Sequence, residues 1–535
     1  MMAGERSIRS VRARLLSALT VVLGLGGVAA VPASAGTPLL ELSPASHPER
    51  HASARAAARR GPSVTAALQS LQRAGAISEV LGHQYYSAYV AAKQSLGRLS
   101  GTRKSELGAV MANVQAIAAA GELNASRLPA VFLTLERNRQ WWTTEPLLSG
   151  SIRVSFPGSR LVWEHYPGQG IEIQWLATFG EANGYYLSGH ENANLRQVLS
   201  EVIPLASQRA GGIAWEYLFQ FDGGRPPWTS GLSQGTAVQV LSRAWSRFKE
   251  QVDLTAAQQA LGIFETSPPQ GVRVSTPAGA LYAEYTYAPS DKILNGFIQA
   301  LVGLYEYASI TRDPLGLQLF EAGDAEARAE VPLYDTGGWS RYDQFGESSL
   351  NYHELLTEFL QHLCERTRKG PPFSPAGTPI PTPTTTTPTP PEGSPGTGGA
   401  TSTTGGASAA RASERSASIA QTGTPIAADE IYCTTAQRFT AYLHTPPVIA
   451  LLSTTLRGGT RAGVQMSLSK ISAVHLTVRQ GGHVVWSNSA TVEHGKPRLL
   501  WLTPAGGGSF SVTLTATDLV GNFATANGTI LVTRH

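Results

Sequence analysis

Leu294-Asn295-Gly296-Phe297-Ile298-Gln299-Ala300-Leu301-Val302-Gly303-Leu304-Tyr305 is the stretch on which the fold turns. Its apolar residues continue to Ile310 and recur at the spacing of one helical face. Four further segments share that period, at 195–210, 233–251, 315–331 and 352–366, with Gly-, Pro- and Trp-rich loops between them. Helix pairs repeated in this way, with aromatic loops at one end, predict a mainly α unit built as an (α/α) toroid or barrel. A short β segment precedes it. Residues 152–156 and 161–166 read as strands leading into Pro167-Gly168-Gln169-Gly170.

Outward from this unit, residues 62–145 form an N-terminal helical region. Ala67, Leu68, Leu71 and Ile77, then Tyr86, Tyr89, Leu96 and Leu99, predict two to four helices. Residues 370–428 are almost entirely Pro, Thr, Gly, Ser and Ala, which cannot bury enough apolar area to offset backbone entropy, so a linker is expected there. Residues 36–61, polar and without an apolar period, are expected to be disordered. In 429–535 the alternation in Val474-His475-Leu476-Thr477-Val478 and Phe510-Ser511-Val512-Thr513-Leu514 predicts an all-β sandwich. Asp518-Leu519-Val520-Gly521-Asn522 resembles the turn before the last strand of bacterial immunoglobulin-like modules.

The 535 residues are 42% hydrophobic and 15% charged, enough for several folded units. Arg6, Arg9, Arg12 and Arg14 against Glu5 account for most of the net charge of +4, which leaves no basic surplus for nucleic acid. These arginines precede an uncharged apolar run and Pro32-Ala33-Ser34-Ala35, so 1–35 reads as a cleaved signal peptide. The expected protein is secreted, extracellular or in the cell envelope, with no membrane span after cleavage. In an oxidising compartment the only two cysteines, Cys364 and Cys433, are expected to pair.

Generic catalytic signatures are missing: no Gly-x-Ser-x-Gly elbow, P-loop or His-Glu-x-x-His helix occurs. Glu354, Glu358 and His362 share a helix face that reads as solvated, so no metal is expected. Four ordered matches carry more weight. Glu284-Tyr285 precedes Pro289, then Leu294-Asn295-Gly296-Phe297 and Leu301-Val302-Gly303-Leu304-Tyr305. Leu333-Tyr334-Asp335-Thr336-Gly337 with Tyr342-Asp343, then Tyr352-His353, follow in order. Pro227-Trp228-Thr229-Ser230-Gly231-Leu232-Ser233-Gln234-Gly235 lies upstream.

Together these resemble the D-glucuronyl C5-epimerases of glycosaminoglycan biosynthesis, over residues 146–369. The resemblance implies an isomerase that needs no cofactor, acts on a uronate-containing polysaccharide and forms a homodimer. It assigns proton-transfer roles to Glu284, Tyr285, Tyr342 and Tyr352. The loop between the last two, 343–351, is shorter than in the animal enzymes. Epimerising glucuronate removes a proton from C5 and returns one to the opposite face, so two carriers are required, with Glu284 and Tyr352 expected to face each other. Tyr285, Tyr342, His353, Arg225 and Gln234 are candidates for stabilising charge on the substrate carboxylate. Tyr166, Trp175 and Trp228 are candidates for stacking on sugar rings, and Gln169, Gln174 and Asn295 for hydroxyl contacts, with Gly168 and Gly170 allowing close backbone approach. A uronate lyase, which abstracts the same proton and then expels the C4 substituent, and a non-catalytic glycan-binding or envelope protein are the competing readings.

Overall fold

The computed structural model describes residues 61–374 and 430–534. The expected signal peptide, the segment up to residue 60 and nearly all of the expected linker lie outside the described residues. Four helices open the chain, Val64–Arg73, Glu79–Arg98, Gly101–Ala119 and Leu128–Thr144. Ser63 and Ser78 cap the first two, each hydroxyl accepting from a backbone N–H in the first turn. Leu107, Val110, Val114 and Ile117 form the buried stripe of the third helix.

A three-stranded antiparallel sheet follows, Arg153–Val154, Trp163–Tyr166 and Gly170–Ile173. At Gly170 the glycine-rich turn is packed against the third helix, whereas Gly168, also at positive φ, faces open space. Gly168 and Gly170 donate their N–H groups to the carboxylate of Glu106, and a Cβ at Gly170 would lie 2.3 Å from Cγ2 of Val110. The turn is thus seated on the Gly101–Ala119 helix.

The helices of the central unit are Trp175–Ser188, Asn192–Val202, Gly231–Phe248, Gln251–Gln259, Gly262–Glu265, Leu294–Thr311, Pro314–Glu330 and Leu350–Thr367. The helix expected to run to Ala210 stops at Val202. Pro204 sits in a tighter turn, and the chain then forms a hairpin, Ser207–Arg209 with Gly212–Ala214. Ala210 and Gly211 both take positive φ, 53° and 75°, as a two-residue hairpin turn requires. The helix expected to reach Gln251 ends at Phe248, where Lys249 turns left-handed. Gly231–Phe248 and Leu294–Thr311 approach so closely that a Cβ at Gly303 would lie 2.1 Å from the carbonyl oxygen of Gly235.

One hydrophobic core runs from Val64 to Phe439 and joins the four opening helices to the central unit. The Ile431–Tyr442 helix rejoins it through Tyr432, Ala436 and Phe439, and the Cys364–Cys433 disulfide, separated by 69 residues of sequence, ties it to Leu350–Thr367. Among the described residues no helix is long and apolar enough to cross a membrane.

The C-terminal β domain has its own core, including Val464, Leu476, Phe510 and Val532. Arg498–Leu502, Arg461–Leu468 and Ile449–Leu451 form one sheet. His483–Val492, Ser472–Gln480, Gly508–Asp518, Phe523–Thr533 and Thr455–Arg457 form the other. Burial alternates along Ser472–Gln480 and Gly508–Asp518 with the period of two that the sequence predicts. The strands pair antiparallel with one exception, Thr455–Arg457, which pairs parallel with Phe523–Thr533. Asp518 Oδ1 accepts from the backbone N–H groups of Val520, Gly521 and Asn522 and so builds the turn before the last strand.

Candidate active site

Glu284 and Tyr285 lie in the loop after the strand Ala280–Tyr282, held between the first turns of two helices. Gly231 N donates to the carbonyls of Ala283 and Glu284, and Thr286 N to that of Thr229. On the other side the carboxylate of Glu284 packs on the start of Leu294–Thr311, against the open space of Gly296. Glu284 is 2% exposed, and its Oε2 has no hydrogen-bond partner. Burial pushes its carboxyl up to about 8; a hydrogen bond from Tyr285 opposes this and the charge of Asp291 adds to it. Such a group holds a proton at neutrality and releases it slightly above, as a proton carrier must.

Tyr285 is fully buried, stacked on Tyr287 at 5.1 Å and edge-on to Trp228 at 5.7 Å. Burial, then the neighbouring Glu284 and Tyr342, hold its phenol well above the ordinary tyrosine value, so it remains a donor. Tyr342 is carried by the 335–349 loop, and its carbonyl accepts from Leu294 N at 3.4 Å, at the helix start beside Glu284. Its ring lies 5.0 Å from that of Tyr352, in the first turn of Leu350–Thr367. Glu284, Tyr285, Tyr342 and Tyr352 thus converge as a continuous row, from carboxylate to phenol to a pair of phenols.

Gln169 and Arg225 line one cavity of about 370 Å³ with Gln220, Phe221, Asp222 and Gly224. Gln169 Oε1 accepts from Asn113 Nδ2 and Gln220 N, and the Arg225 side chain is on an exposed residue. Tyr166, half-buried, packs its ring 4.5 Å from Phe219 and its hydroxyl accepts from Gln174 Nε2. Phe221, in the cavity wall, reaches to 6.1 Å of the Tyr285 ring. An aromatic cluster therefore connects cavity and carboxylate.

Other sequence candidates have structural places. Trp228 is 1% exposed, stacked on Tyr217 at 4.3 Å with its N–H on the carbonyl of Phe219, so it supports the site from within and is not an open sugar platform. Trp175 is likewise buried, its N–H on the carbonyl of Glu216. Gln234 is spent on the carbonyls of Ile213 and Ala260. Gln174 caps the helix Trp175–Ser188. His353 is fully buried, with one ring nitrogen on Ser340 and the other on the carbonyl of Phe439; burial lowers it to about 4 and keeps it neutral. Asn295 is buried at the helix start beside Glu284, its Oδ1 without a partner. Glu358 and His362 stand 4.0 Å apart on a largely exposed face, and no group of three metal-ligating side chains occurs among the described residues.

Sequence reasoning missed two buried carboxylates. Glu164 and Glu172 are directly opposite on neighbouring strands, on the face that carries Tyr166. Burial raises Glu172 well above the carboxylate range, and Glu164 bears on both Tyr166 and Tyr217. The available signal was Ile171-Glu172-Ile173, an acid between two apolar strand residues just before a buried helix. Tyr217, whose hydroxyl meets Ser233 Oγ at 2.7 Å, feels both Glu284 and Glu164.

Residues 210–374 match the family model described as D-glucuronyl C5-epimerase C-terminus. A D-glucuronyl C5-epimerase of Caenorhabditis elegans is 32% identical over 131 residues, 22% of this chain and 21% of that protein. An uncharacterized protein of Methanocaldococcus jannaschii is 26% identical over 151 residues, 27% of this chain and 49% of its own length. The match thus spans between about a fifth and a half of these relatives. All four tyrosine and carboxylate candidates fall inside the matched region, whereas Tyr166, Gln169 and Gln174 lie before it.

Proposed function

We propose, from the relationship of residues 210–374 to the D-glucuronyl C5-epimerase C-terminal family, that the chain is a secreted uronate C5-epimerase acting on a polysaccharide. The observation that carries this reading is Glu284, a buried carboxyl held near 8 beside the row Tyr285, Tyr342 and Tyr352. In this reading the ionised form of Glu284 takes the proton from C5 on one face and Tyr352 delivers one to the other, after which solvent takes up the proton of Glu284 and restores that of Tyr352. The electron pair left by the departing proton spreads into the substrate carboxylate, where Tyr285 and Tyr342 donate hydrogen bonds and Arg225 supplies a cation. The C5–H bond broken and the C5–H bond formed balance, so the step needs no oxidant and no cofactor. Gln169 and Tyr166 would bind flanking sugar at the cavity mouth. The central helices are read as an (α/α) toroid and the C-terminal β domain as an immunoglobulin-like sandwich.

Incubation of uronate polymers in heavy water, with C5 deuterium read by mass spectrometry, tests the proposal. Incorporation lost in Glu284→Gln and Tyr352→Phe supports it; no incorporation with any uronate polymer overturns it. A lyase would instead produce the ultraviolet absorbance of an unsaturated uronate.

A further inference from the structure

The C-terminal β domain sits on the loop that carries Tyr342. Lys470, 1% exposed, enters between that loop and the end of the Ile431–Tyr442 helix. Its ammonium pairs with Asp518 at 2.6 Å, donates to the carbonyls of Tyr442 and Thr445, and lies 5.5 Å from the centroid of Trp339. Trp339 also donates its indole N–H to the carbonyl of Ser348 and stacks on His353, whose ring lies 3.8 Å from the indole with 9° between planes. Trp339 precedes Tyr342 by three residues and His353 follows Tyr352 directly. The stack therefore joins the two segments whose tyrosines face each other at 5.0 Å.

Two further contacts hold the same loop. The Glu347 carboxylate, fully buried, accepts from His494 N at 2.8 Å and faces His494 Nδ1 at 3.3 Å. Gly338 lies so close to the strand end that a Cβ would be 2.4 Å from the carbonyl oxygen of Ser469. A fully buried ammonium saturated by three oxygens has one geometry, and a stacked indole placed over it inherits that geometry.

We infer that Lys470 is a positioning residue: through Trp339 and His353 the β domain holds Tyr342 and Tyr352 at their working separation. This rests on the epimerase reading for its kinetic consequence, and on geometry alone for its structural one. It gives the β domain a role in turnover that a sugar-binding or spacer module would not have.

The test uses the full chain as wild type and in three variants: Lys470→Arg, Lys470→Met with Asp518→Asn, and His494→Ala. The paired replacement avoids leaving Asp518 buried and uncompensated, and His494→Ala leaves the core of the β domain intact. Amide hydrogen exchange over 335–353 and C5 deuterium incorporation are measured on each, with amides of 472–518 as the folding control. Expected are at least tenfold faster exchange in 335–353 and at least tenfold lower kcat with KM within twofold for the paired variant, smaller losses for His494→Ala, and substantial recovery in Lys470→Arg. Unchanged loop exchange in folded variants, or faster exchange with unchanged kcat, overturns the inference. Should the wild type incorporate no deuterium, the epimerase reading fails by itself, and loop exchange alone decides whether Lys470 holds the loop.

Discussion

Glu284 and Gly296 share one volume: a Cβ at Gly296 would lie 2.4 Å from Oε2 of Glu284 and 3.1 Å from its Cδ. The first turn of Leu294–Thr311 is therefore open at the one point where the carboxylate enters. This explains physically why a glycine stands at position 296. A side chain there would push the carboxylate out of its buried position.

Gly296→Ala is expected to leave the helix intact, since alanine favours helix, yet to reduce C5 exchange by at least tenfold. Crowding in a packed core costs about 1–3 kcal/mol, visible as a lower melting temperature. Unaltered exchange kinetics in this variant would show that the Glu284 carboxylate is not where the reaction needs it.

Glu284 also sets a pH dependence. Burial raises its carboxyl from 4.5 to about 8, so kcat/KM of the wild type is expected to climb with pH through about 8, and a flat profile across that region would remove Glu284 from the role of base. For stability the sign is opposite. Between 4.5 and 8 the unfolded chain has released the proton and the folded chain still binds it, so stability falls as pH rises across that window. Each pH unit is worth about 1.4 kcal/mol. Denaturant titrations at pH 5 and pH 8 should find Glu284→Gln stabilised relative to wild type chiefly at the higher pH.

Arg225 and Gln234 are expected to separate catalysis from folding. Arg225→Gln, at the cavity, should lower kcat severalfold as well as raise KM, because its charge meets the negative charge that develops on the substrate carboxylate, an effect that weakens as salt screens the wild-type charge. Gln234→Ala leaves the carbonyls of Ile213 and Ala260 without their donor. That costs about 1–3 kcal/mol of stability, and kinetics at a temperature where the variant is folded should stay close to wild type.

The disulfide closes a long loop, and a chain constraint of that length stabilises by about 2–4 kcal/mol. Cys364→Ser with Cys433→Ser, or reduction of the wild type, should lower the melting temperature by several degrees. The Ile431–Tyr442 helix, which carries the carbonyl that holds His353, is expected to open first by hydrogen exchange. Identical melting with and without reductant would remove this expectation.

Much of the architecture was legible because periodicity reports burial directly. The segments around Leu301, Leu319 and Leu356 repeat at helical spacing and fold as helices, and Val474 to Val478 alternate and fold as a strand. The expected helix through Ala210 failed where Pro204 and the Ala210-Gly211 turn outweighed its apolar pattern. Site chemistry was legible in order but not in depth. Tyrosine, tryptophan and glutamine carry the same signature whether they meet a ligand or fill a core, so Trp228, Gln234 and His353 looked like Tyr342 until their partners were known. Glu164 and Glu172 were invisible as a pair because only strand register sets them opposite each other.

The sequence by itself determined most of the elements, the expectation that the two cysteines pair and the order of the candidates from Glu284 to Tyr352, since each depends on residue type and spacing along one chain. Only the tertiary structure decided that Glu284 is a carboxyl near 8, that Arg225 and Gln169 share a cavity, and that Lys470 stands under Trp339. Those properties arise from desolvation and from contacts between residues far apart in the chain, and no local pattern encodes either.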